Sequence, residues 1–191
     1  MKPGYRRALT IVVILNLGYG AIEMAGGFLS DSQALKADAL DFVGDGVITL
    51  LGLLAIGWNP AWRARAALTQ GLFLGALGLG VLVATAFRVF VQRQPEPELM
   101  GVFGVIALAV NIAAAVVLIP HRKGDVNVRA IWLFSRNDAI GNVAVVIAAG
   151  LVVMTRSPWP DLIVAMVIAA LFLQSSWAIV RDARTKLHGA A

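Results

Sequence analysis

The sequence predicts an all-α integral membrane protein with a bundle of six transmembrane helices, and three observations carry that prediction. Of 191 residues, 59% are hydrophobic and 14% charged, against about 45–50% and 25% in soluble domains. Six apolar stretches cover about 8–29, 34–58, 66–90, 99–119, 130–154 and 159–180, each near or above the roughly 20 residues that cross a bilayer as a helix. All seven prolines (Pro3, Pro60, Pro95, Pro97, Pro120, Pro158 and Pro160) fall at the edges of these stretches or between them, where a helix breaker does no harm. No soluble domain is left over, so 1–191 reads as a single transmembrane domain.

The distribution of cations gives the orientation. Lys2, Arg6 and Arg7 at the N-terminus, Arg63 and Arg65 in the second loop, Arg122, Lys123 and Arg129 in the fourth, and Arg181, Arg184 and Lys186 at the C-terminus make up eleven of the sixteen Lys and Arg. The positive-inside rule places these segments in the cytoplasm, so both termini are expected there. The other loops carry few cations and include the acidic run QPEPE. Trp58, Trp62, Trp132, Trp159 and Trp177 lie near expected span ends, as an interfacial belt requires. The net charge of +5 is spread over short loops instead of forming one patch, which argues against a nucleic-acid partner. With no cysteine in the chain, thiolate ligands and disulfides are excluded.

The first span follows MKPGYRR but outruns the apolar core of a signal peptide, so it reads as a retained helix. It carries Asn16 and Glu23, and an acid at that depth is either a functional group or one side of an interhelical hydrogen bond. The second span opens at Ser32 and contains Asp38, Asp41 and Asp45; residues three and four apart share a helical face, so the acids form a ladder, in which Asp38, nearer the outer end, reads as a helix-start or mouth residue. The third holds Gly71, Gly75, Gly78 and Gly80, small residues that let helices approach closely; packing inside the bundle is expected ahead of a dimer contact. In the fourth, Asn111 is expected to hydrogen-bond across helices. The fifth reads WLFSRNDAIGN at its start, and at 100° per residue Phe134, Asn137, Asp138, Gly141 and Asn142 fall on one face while Arg136 points away from Asp138, either to snorkel to the cytoplasmic interface or to neutralise an acid on another helix such as Glu23. The sixth opens with Asp161, whose acid in the first turn suits capping of its own helix. His121 and His188, the only histidines, sit in a loop and the tail, away from the midplane.

Asp45 and Asp138 lie at depths differing by about one helical turn, so the acids of spans two and five can converge. Three carboxylates in a low-dielectric space repel one another, and either protons or a cation must neutralise them. A divalent metal answers this economically. Ligating carboxylates must be deprotonated, so metal entry releases protons and proton entry releases metal.

In spacing, the whole chain resembles the transmembrane domain of the cation diffusion facilitator family. Ser32, Ala37–Asp38 and the Asp41-x-x-x-Asp45 form follow the family's second-span order, and Glu23, Asn111, Asn127, Asp138 to Gly141, and Trp159-x-Asp161 also fall in place. The resemblance implies a divalent metal transporter, not an enzyme, exporting metal from the cytoplasm in exchange for protons by alternating access. It implies Asp41, Asp45 and Asp138 as metal ligands in a homodimer embedded in the lipid bilayer, in a bacterial inner membrane. Two departures qualify it. Where the family usually has His or Asp four residues before the fifth-span Asp, this chain has Phe134, leaving Asn137 or water to complete the shell. The family's usual C-terminal cytoplasmic domain has no counterpart here, so any dimer is expected through the spans.

Zinc, cobalt, cadmium, manganese and iron are the expected cargo, and the all-oxygen set favours manganese, iron, cobalt or magnesium relative to zinc. Two other readings stay open: a non-transporting scaffold or metal-sensing partner with a degraded site, and an organic-cation/proton antiporter using Glu23. No nucleophile–base pair or phosphate loop supports an enzyme.

Overall fold

The computed structural model describes residues 3–55, 58–91, 94–121 and 126–188, without the side chains of residues 3, 5, 60, 121, 126–137 and 188. Among these residues all regular structure is helical: α1 (Pro3–Leu29), α2 (Gln33–Leu54), α3 (Pro60–Val91), α4 (Pro97–Leu118), α5 (Val126–Thr155) and α6 (Trp159–His188), with a 3₁₀ turn at Ile119–His121. Proline opens α1, α3 and α4, where a missing N–H costs nothing because the first turn's donors are unpaired anyway.

Five of the six helices (α1, α3, α4, α5 and α6) are long and apolar enough to cross a membrane, and the chain is an integral membrane protein. The sixth, α2, has the length but carries Lys36, Asp38, Asp41 and Asp45 along its 22 residues. Large apolar side chains such as Ile14, Phe87, Phe90, Ile140 and Met154 are exposed, as lipid-facing positions should be. Trp58, Trp62 and Trp159 are also exposed, at or beside helix ends.

The helices pair as α1 with α2, α3 with α6 and α4 with α5, and α1 also packs on α4. Among the described residues, α2 is the one helix in contact with all five others. The polar helix is therefore the hub of the bundle, where its acids can be shielded from lipid. Apolar clusters surround it: Ala37 with Leu74, Val81, Ala165, Ile168, Ala169 and Phe172 on the α3–α6 side, and Ala34 and Leu35 with Met100, Val145, Ala148 and Ala149 on the α4–α5 side.

Since lipid tails are as apolar as the helices, close packing takes over much of the work that water exclusion does in soluble proteins. Gly71, Gly75 and Gly78 of α3 meet Val180, Ser176 and Phe172 of α6, so the glycine series packs inside one chain as its sequence suggests. A Cβ at Gly78 would stand 2.8 Å from the Phe172 Cβ and 3.3 Å from the Ala169 carbonyl, whereas one at Gly80 meets nothing within 4 Å. Gly78→Val should therefore cost about 1–3 kcal/mol by overpacking, read as a lower unfolding temperature in detergent. Gly80→Val should leave that temperature unmoved; equal effects at both sites would mean that the α3–α6 contact is not this close.

At one end of the bundle the three short turns are laced together. Asp31, in the α1–α2 turn, has φ of 54°, a left-handed conformation that Asp tolerates better than most residues. Arg88 of α3 reaches it, Nη1 donating to Asp31 Oδ2 at 2.7 Å and Nη2 to the Asp31 carbonyl at 2.9 Å. The Glu96 N–H donates to the Ser30 carbonyl at 2.7 Å, and Gln94 donates to the Arg156 carbonyl in the α5–α6 turn.

Candidate metal and proton site

The start of α2 fixes the depth of its acids. Ser32 is the N-cap, with φ −84° and ψ 127° and its side chain accepting from the Leu35 N–H, as N-cap serines do. Asp161 completes this cap from the far end of the chain. It accepts from Ser32 Oγ at 2.5 Å, from the Gln33 N–H at 2.8 Å and from the Ala34 N–H at 3.0 Å. The sequence suggests that Asp161 caps its own helix; instead it caps α2, because the α6 N-terminus lies against the α2 N-terminus and two free N–H groups there offer better partners.

From this anchor the acids of α2 descend into the bundle. Asp38 is 3% exposed and accepts from Asn142 Nδ2 at 2.9 Å, while Asn142 Oδ1 accepts from Asn111 Nδ2 at 3.0 Å. This relay joins α2, α5 and α4. Asp38 is thus an interior residue rather than the mouth or helix-start group that its position near the span end suggests. Asn111 forms the interhelical bond expected of it, and its partner is Asn142.

One and two turns further, Asp41 and Asp45 are partly buried, as is Asp138 of α5. The Asp45 carboxyl lies against that of Asp138, and Asp41 is close enough to act on both electrostatically. Asp138 Oδ2 is buried without a hydrogen-bond partner, an orphaned acceptor that costs free energy unless a proton or cation meets it. Among the described residues, no three Asp, Glu, His or Cys side chains converge tightly enough to enclose a metal ion. The three aspartates face one another without sharing a single focal point. The Asn137 and Phe134 side chains, and that of Arg136, lie outside the described residues.

Glu23 of α1 is fully buried, and neither carboxylate oxygen has a hydrogen-bond donor. Its carboxyl lies against that of Asp38. Nearby, Tyr19 packs edge-on to Phe42, ring centroids 5.0 Å apart, and its hydroxyl donates to the Phe103 carbonyl at 2.6 Å.

The model of the cation efflux transmembrane domain matches residues 9–188. The chain belongs to the cation efflux, or cation diffusion facilitator, family. Its curated relatives include a cadmium, cobalt and zinc/H(+)-K(+) antiporter of Bacillus velezensis, 27% identical over 93% of this chain and 61% of the relative. The zinc transporter ZitB of Escherichia coli is 29% identical over 95% of this chain and 62% of its own length. The metal cation efflux system protein CzcD of Cupriavidus metallidurans is 25% identical over 94% and 60%. The chain thus spans about three fifths of the length of the relatives it matches.

Proposed function

We propose that this member of the cation efflux family is a proton-coupled divalent metal exporter of the bacterial cytoplasmic membrane. Asp41, Asp45 and Asp138 bind the cation, and Asn137 adds an amide oxygen on the same face of α5. The observation that carries this reading is the meeting of Asp45 with Asp138 across two helices, with Asp138 Oδ2 buried and unpartnered. A divalent ion would draw Asp41 into that pair and cancel a repulsion that otherwise needs protons. Zinc, cadmium and cobalt, the ions in the relatives' names, are the first cargo to try, and the oxygen-only set adds manganese and iron.

The direction follows from the same layout. Cation-rich termini and loops place the laced turns on the outer side. The hydrogen bonds there close that end above Asp38, while Asp41, Asp45 and Asp138 keep partial exposure. We read this site as one that takes its ion from the cytoplasm, with export requiring the lacing to give way. The protein is read as a homodimer, which cross-linking in native membranes can detect.

Protein reconstituted into liposomes, with a pH gradient imposed in either direction, tests the reading. Metal uptake should follow the gradient and reverse with it, and uptake that ignores it sinks the proton coupling. The sign of the pH effect on binding is fixed by the ligands. Acidification protonates the carboxylates and weakens binding, and affinity should rise by roughly tenfold per pH unit for each proton displaced, then level off once the acids are ionised. Calorimetric titration with zinc across pH reads this slope.

A further inference from the structure

Glu23 and Asp38 stand outside the proposed metal ligands, and the metal chemistry leaves them without a task. Glu23 is fully buried, yet neither of its oxygens has a donor. A buried carboxylate left so carries a heavy desolvation cost, and the group in front of it is a second carboxyl, that of Asp38. Two acids in that contact are stable when they share one proton, the protonated oxygen donating to its neighbour. Asp38 retains one neutral partner, the Asn142 amide at 2.9 Å.

Among the described residues, the other titratable and polar groups near the pair have partners of their own or belong to the metal site. On α1, Tyr19 donates to the Phe103 carbonyl. On α2, Asp41 is the nearest additional acid, one turn beyond Asp38. From α5, Asp138 lies beyond it, against Asp45. The polar contribution from α4 is Asn111, which does not titrate. Arg88 of α3 and Asp161 of α6 are held at the α2 start by Asp31 and by Ser32, Gln33 and Ala34. Among the described residues, no Lys or Arg forms an ion pair with Glu23.

We propose that Glu23 and Asp38 form a proton-binding site separate from the metal ligands, and that its protonation state is passed to the metal site through Asn142. The link is direct in geometry. Asn142 lies one helical turn after Asp138 on α5, and its amide donates to Asp38. When the shared proton leaves for the aqueous phase, Asp38 loses the donor that Glu23 offered it, its full charge falls on the bond from Asn142, and that bond strengthens. When a proton returns, that bond weakens and α5 is freer to shift against α2, carrying Asp138 with it. This inference rests on the transport reading above and adds a second proton carrier to it.

The test uses full-length protein in liposomes containing a trapped pH dye, with zinc added outside. Wild type should exchange protons for zinc, and Glu23→Gln and Asp38→Asn should still move zinc while the protons exchanged per zinc fall to about half, since one of two carriers is gone. Glu23→Asp should restore the ratio. An unchanged ratio in both amide variants overturns the proposal. A second measurement needs neither variant to fold. Infrared spectra of metal-free Asp45→Ala/Asp138→Ala protein should retain the carbonyl band of a protonated buried carboxyl, because the Glu23–Asp38 pair is intact; a spectrum without that band also overturns the proposal. Wild type that carries no metal, with the band present, instead overturns the transport reading and the coupling role that rests on it.

Discussion

Asp45→Ala should abolish metal transport, and so should Asp138→Ala, each leaving the helical bundle folded. Outer-shell groups at metal sites are each worth about 10–100-fold in affinity, so losing a ligand should weaken zinc binding by at least that much. Both acids are partly buried and lie against each other, so removing either also removes a like-charge contact. Stability should hold or rise as binding falls. That opposite movement distinguishes a ligand pair from a structural hydrogen bond, whose loss would lower both. Calorimetry with a panel of zinc, cadmium, cobalt, manganese and iron, read beside thermal unfolding in detergent, resolves the two. Undiminished binding in Asp45→Ala would remove Asp45 from the site.

Asp161→Ala is expected to produce the largest loss of stability of any single polar substitution outside the metal site. The Asp161 carboxylate accepts three bonds at the start of α2, two of them from backbone N–H groups of Gln33 and Ala34. Gln33 and Ala34 are buried, so alanine leaves those donors without water as well as without a partner. Each such orphan costs about 1–3 kcal/mol, giving a loss of roughly 2–6 kcal/mol for the pair. The effect should extend to metal binding, because the cap sets the height of Asp41 and Asp45 along the α2 axis. Asp161→Asn, which keeps an acceptor oxygen, should recover part of the loss. A variant as stable as wild type in detergent would show that the α6–α2 cap is not a structural tie.

The architecture was readable in the sequence because membrane helices announce themselves by length and apolarity, and prolines mark their limits. Asp41, Asp45 and Asp138 stood out for the opposite reason, as charges inside apolar runs. What one-dimensional spacing does not contain is the identity of a partner on another helix. Asp161 reads as a cap for the helix it opens, and only the approach of α6 to α2 turns it toward Ser32. Asp38 reads as a mouth residue by its depth, yet α5 brings Asn142 to it. Asn142 was visible on the Asp138 face, without any sign that it would bridge Asp38 to Asn111. Similarly, nothing in the spacing pairs Arg88 with Asp31, whose left-handed turn presents both a carboxylate and a carbonyl to it.

The polarity of α2 also bears on how the protein is made. An aspartate at the centre of an inserting helix costs about 2.5–3.5 kcal/mol, so Asp38, Asp41 and Asp45 together oppose entry by on the order of 8–10 kcal/mol, against about 3–6 kcal/mol gained from the helix's ten Leu, Ile, Val and Phe residues. Emerging from the ribosome alone, α2 would stay out of the bilayer. It needs α1 to enter as a hairpin, and its cap arrives only with Asp161, at the start of α6. The helix that bears the acids is made before α3 to α6 and is secured only once α6 has begun to form, so the bundle closes around its aspartates late.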